Sequence, residues 1–288
     1  MHFHSPFTME DVLWTFTFAG HLVLLVVLLG RDRARRFPLF TAGVALIAFR
    51  VLTGRLLNNR LPQLTFIEFM LITMALSVVI GLLVLLELAR HTFARAQRGA
   101  WVAGALAVML AGALVVWKWG SWPAWDAVKG GSVWQFLDLI VQKGSRLLDV
   151  ETILVCGLIT VLGRRFGAGW RTHTQRIAIG LSTVSISQLS LQAVWESIVR
   201  HVRADPSMIR SMADQQRILG LGSKLTNANK VVFIAALVWW IITLWFDEPG
   251  TANAATPEGT VIQAEVEPVA LESGEADVVE NLENRDAQ

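Results

Sequence analysis

The sequence predicts an all-α membrane protein: a seven-transmembrane helix bundle, N-terminus outside, C-terminus inside, with a disordered acidic C-terminal tail. Three observations predict it. Of 288 residues, 53% are hydrophobic and 17% charged, whereas soluble domains carry about 25% charge. The apolar residues fall in blocks long enough to cross a bilayer, and arginines crowd alternate connections between them. A mean hydropathy of +0.50 points away from both a soluble globular domain and a disordered chain.

About 20 apolar residues cross the ~30 Å hydrocarbon layer as a helix. Blocks of that kind run over 12–30, 38–57, 66–89, 100–118, 147–163, 177–198 and 230–246. Backbone polar groups must be satisfied internally in lipid, so each block is read as a helix. The first has its arginines behind it rather than in front, unlike a signal peptide, and is read as retained. Arg50 and Arg55 interrupt the second block, Asp149 and Glu151 open the fifth, and the sixth is unusually polar.

Short connections set orientation through their Lys and Arg content. The connections after blocks one, three and five hold Arg31, Arg33, Arg35 and Arg36; Arg90, Arg95 and Arg98; and Arg164, Arg165, Arg171 and Arg176. The opposite short ends hold only Arg55 and Arg60, beside the acidic Glu10 and Asp11. The arginine-rich side is therefore expected to be cytoplasmic. These bases read as topology determinants, not as a nucleic-acid patch.

The net charge of +2 conceals a division. Residues 1–246 carry 24 Lys and Arg against 12 Asp and Glu, while residues 247–288 carry one Arg against 11 acids. This divides the chain into a transmembrane domain, 1–246, and a cytoplasmic tail, 247–288, too poor in apolar surface to offset its ordering entropy. Two stretches between blocks, 132–146 and 206–219, have apolar residues on one helical face and are read as short amphipathic surface helices. Twelve Trp and no Tyr suit an interfacial belt, with Trp117, Trp119, Trp122, Trp125 and Trp134 near one outer mouth.

Ionisable groups inside a bilayer are costly and are functional candidates by default. Arg50, Glu68, Glu151 and Glu196 fall at a similar outer depth on this topology. Ser185, Gln188, Gln192 and Glu196 form one stripe on the sixth block. The sharp reading is a polar vestibule open to the outside, built from Arg50, Glu68, Glu151, Gln188, Gln192 and Glu196. The bland reading pairs these groups in interhelical contacts worth ~0.6–2 kcal/mol each.

Other chemistry finds little support. A transmembrane haem wants two histidines at matching depth. Only His91 and His173 share a level, at the membrane edge. His21 lacks companions for a zinc site. Lys230 stands at the very start of the last block, which excludes a retinal Schiff base within it. With a single cysteine, Cys156, no intramolecular disulfide or Cys-based metal cage can form. No cofactor is expected. The leading function is a non-enzymatic sensor or scaffold, with the lipid bilayer and a cytoplasmic protein as partners. The latter would bind through the tail or the basic loops. A transporter or channel using the outer Arg/Glu level, and a histidine-based haem or metal subunit, are the alternatives.

The run LLGRDRARRFPLFTAG, residues 28–43, and the carboxylate Glu87 closing the third block resemble a group of bacterial multi-span membrane proteins. The likeness spans roughly residues 10–95. It implies a bacterial inner-membrane location and carries over no activity or site residue.

Overall fold

A computed structural model describes residues 8–58, 60–93, 98–119, 133–162, 172–204 and 211–247. Among these, 93% are helical and none lies in a strand. The helices are α1 (Met9–Gly30), α2 (Arg33–Arg36), α3 (Pro38–Leu57), α4 (Gln63–Thr92), α5 (Arg98–Lys118), α6 (Val133–Leu162), α7 (His173–Ala204) and α8 (Met212–Trp245).

Local chemistry starts and stops these helices. Thr8 and Asp11 form a capping box on α1, each accepting the other's backbone N–H at 3.3 Å. Asp32, at φ 54°, makes the turn after α1 in the left-handed region that Asp tolerates better than most residues. Pro38 opens α3, where its missing N–H is no loss. A second capping box, Ser211 with Asp214, opens α8.

Two expected surface helices are instead parts of long ones. Residues 133–146 run unbroken into the fifth apolar block as α6. The apolar face continues onto α4, where Val78 packs against Gly144. Residues 212–219 are the first turns of α8, and 206–210 lie outside the described residues. So do Arg95, Arg164, Arg165, Arg171, Trp122, Trp125 and the tail beyond Asp247.

Helices α1, α3, α4, α7 and α8 are long and apolar enough to cross a membrane. They make this a multi-pass membrane helix bundle by length and composition. Helix α5 offers a shorter apolar stretch, Gly104–Lys118. Lys143, Arg146, Asp149 and Glu151 break up the apolar run of α6.

The packing closes a ring. Helix α1 packs on α3, α3 on α4, α4 on α6, α6 on α7, α7 on α8, and α8 back on α1; α5 lies chiefly against α6. Leu237 of α8 lies against Gly20 of α1, and the Arg31 guanidinium sits 5.0 Å from the Trp245 ring centre. Helices α1 and α8 therefore run in the same direction. Arg33 donates to Asp247 at 2.6 Å, which brings the end of α8 to the arginine-rich turn. That end of the bundle is called the arginine end below.

All six ring helices contribute to one buried apolar cluster. It includes Leu24 and Leu28 of α1, Phe40 and Val44 of α3, and Val84 and Leu88 of α4. Cys156 and Ile159 of α6, Ile177 of α7, and Leu237, Trp240 and Leu244 of α8 complete it. The cluster occupies the half of the ring nearer the arginine end. Gly180 permits the closest approach within it: a Cβ there would run into the indole of Trp240, which donates to the Ile177 carbonyl at 3.3 Å.

Candidate functional site

Polar residues collect at the other end of α6 and α7. On α6, Asp138, Gln142 and Arg146 recur at i, i+4 and i+8. On α7, Gln192, Glu196, Arg200 and Arg203 do the same at i, i+4, i+8 and i+11. Each set is one helical stripe, and the two stripes face each other across a cleft of about 850 Å³. Lys143, Arg146, Arg200 and Arg203 line it against Asp138 and Glu196, so among the described residues the lining is net positive.

The floor of this cleft is a connected network. Arg146 and Glu196 form an ion pair whose side chains are 15% and 27% exposed. With its carboxamide oxygen turned toward Arg146, Gln192 accepts from both Nη2 and Nε at 2.7 Å. The indole N–H of Trp119 donates to Glu196 Oε2 at 3.4 Å, and Lys143 Nζ donates to the Trp119 carbonyl at 2.8 Å. Glu196 is thus held on two sides. The guanidiniums of Arg200 and Arg203 extend the positive lining beyond this network.

Of the residues singled out in sequence, Gln192 and Glu196 come together here, joined by Arg146. The others lie elsewhere. Arg50 is half-buried inside the ring, donating to Ser77 Oγ at 3.3 Å. Glu151 is 2% exposed and faces α5, where a Cβ on Gly112 would strike its Oε1. Gln188 lies on the exposed face of α7, and Glu68 is half-buried near the start of α4; neither lines the cleft. The apolar face of 132–146, on which its reading as a surface helix rests, does not point to Arg146 and Lys143. The signal was its polar face, complementary in spacing to that of α7.

A second polar level lies within the ring. His21, 1% exposed, meets the Thr17 carbonyl at 2.6 Å through Nδ1. A carbonyl only accepts, so Nδ1 carries the proton. Its Nε2 is buried without a hydrogen-bond partner. The ring stacks at a tilt against Phe233, 5.4 Å between centroids. Asp149, 7% exposed, is buried on α6. Further out, Ser187 donates to Asn229 at 3.2 Å between α7 and α8.

The histidines that share a level do different things. His91 donates from Nε2 to the Arg36 carbonyl at 2.9 Å and packs edge-on against Phe37. His173 is fully buried at the start of α7. Among the described residues, no three His, Cys, Asp or Glu side chains gather as metal ligands.

Comparison with protein-family models, curated proteins and solved structures finds no match to this chain. The class that fold and site define is a multi-pass membrane helix bundle. Its polar cleft lies at one end and its apolar packing fills the half nearer the other.

Proposed function

We propose that this protein is a non-enzymatic sensor or scaffold of a bacterial inner membrane. In this reading it has seven crossings, its N-terminus outside and the arginine end in the cytoplasm. The α6–α7 cleft is then an outward-facing vestibule, and the acidic tail contacts a cytoplasmic partner. The observation that carries the reading is the pairing of a positively lined cleft with an apolar cluster shared by all six ring helices. A positive concavity with low-dielectric walls concentrates anions. The apolar packing of that cluster, among the described residues, favours a receptor over a transporter.

Orientation rests on the arginine bias of the short connections. The contact of Asp247 with Arg33 supports the tail starting on the same side as the first arginine-rich turn. The ligand this vestibule suits is a small anion, held by Arg200 and Arg203 above the Arg146–Glu196 pair.

The test is thermal unfolding of purified protein against a panel of small carboxylate and phosphate anions. A stabilising anion whose effect disappears in Arg200→Ala/Arg203→Ala supports the proposal. If no anion shifts the midpoint, or the double variant shifts as much as wild type, the vestibule reading fails.

A further inference from the structure

Between α4, α5 and α6 lies a second cavity, of about 280 Å³ and unlike the cleft in character. Its walls include Leu85 and Phe93 of α4, Val108 and Met109 of α5, and Val155 and Leu158 of α6. Among the described residues, Glu151 is its only ionisable lining residue. That side chain is 98% buried, being 2% exposed, and its Oε1 has no hydrogen-bond partner. A buried polar atom left unpaired costs free energy and calls for an explanation.

The position of the carboxyl defines one. Glu151 sits beside Gly112, one turn along α5 from Val108 and Met109, so it stands at one end of an apolar slot. The rim is open to the hydrocarbon side, where Leu86, Met109 and Leu158 are 39%, 42% and 36% exposed. Water has little to bind there beyond this one group, whereas a stable bridging water wants two to four polar partners. At about 30 Å³ for a water-sized group, the slot of about 280 Å³ holds roughly nine of them.

We propose that this cavity is an intramembrane binding site for an apolar molecule carrying one terminal hydroxyl, with the hydroxyl hydrogen-bonded to Glu151 and the chain along α5. A hydroxyl both donates and accepts, so it matches the carboxyl in either protonation state. A carbonyl or an ammonium head matches only one. The site is independent of the α6–α7 cleft, and its failure would leave that cleft untouched.

The test uses a hydrophobic carbodiimide, which modifies carboxyls reachable from an apolar phase, with decanol and decane as competing probes. Wild-type protein in lipid nanodiscs is treated, and modification of Glu151 is followed by peptide mass spectrometry. The expected result is modification of Glu151 slowed about tenfold by decanol, the factor of one hydrogen bond, with no slowing by decane at equal membrane concentration. Val108→Trp, which fills the slot, removes the decanol effect, and Leu158→Phe serves if that variant does not fold. Glu151 that stays unmodified in folded wild-type protein overturns the proposal. So does slowing by decane equal to that by decanol, no slowing by decanol, or modification by a water-soluble carbodiimide at the same rate.

Discussion

The carboxylate of Glu87 on α4 accepts the backbone N–H of Phe40 on α3 at 3.0 Å, and its other oxygen accepts that of Leu39 at 3.1 Å. Helix α3 has no side-chain cap of its own: Phe37 precedes it and Pro38 lacks an N–H. A neighbouring helix therefore satisfies its first free donors with a charge that also suits the positive end of the helix dipole. Two features that look separate in sequence, the RFPLF run and a carboxylate about fifty residues later, are one contact. His91, a turn beyond Glu87, adds its bond to the Arg36 carbonyl.

Removing that cap exposes two buried donors. Glu87→Ala is expected to lower stability by about 2 kcal/mol, while Glu87→Gln, which keeps one acceptor, costs about half as much. Thermal unfolding in detergent measures both. An alanine variant as stable as wild type would show that the α3 start finds other partners.

The Arg146–Glu196 pair is partly shielded; Arg146 also donates to Gln192, and Glu196 also accepts from Trp119. A double-mutant cycle of Arg146→Ala and Glu196→Ala should give a coupling of about 1 kcal/mol, above the usual value of an exposed pair. Coupling near zero would mean the pair is a surface contact and the cleft floor is not preorganised.

Two helical glycines are expected to respond oppositely to alanine. Gly180→Ala drives a methyl into the Trp240 indole and should cost about 2–3 kcal/mol by overpacking. Gly157 on α6 has nothing within 4 Å of its would-be Cβ. Gly157→Ala should be neutral or stabilising by up to ~1 kcal/mol. Equal effects at both positions would contradict the α7–α8 packing.

Cys156 is 3% exposed within the apolar cluster. It should resist maleimide in folded protein and react after denaturation, and Cys156→Ala should cost about 1 kcal/mol. Rapid labelling of the native state would mean that the cluster opens.

Five of the seven apolar blocks fall on helices long and apolar enough to cross a membrane, and they are legible in sequence because bilayer thickness dictates their length. Their partners are not. The 3.6-residue period places Gln192 and Glu196 on one face of α7, yet nothing in it says that the face meets Arg146 rather than Arg50 or Glu68. Depth alone groups Glu151 with the vestibule; its helical face turns it to α5 and Gly112, a relation that depends on an antiparallel neighbour. Residues 133–146 misled for another reason: a charged extension of a buried helix and a free surface helix share the same amphipathic pattern.

Our proposal places the α6–α7 cleft outside and the tail inside. Arg203→Cys, at the exposed rim of the cleft, and Ser273→Cys, in the tail, each placed in a Cys156→Ala background, test it with a membrane-impermeant maleimide on intact cells. Labelling is expected at residue 203 without permeabilisation, and at residue 273 only after it. Protection of residue 203 or labelling of residue 273 in intact cells would contradict it.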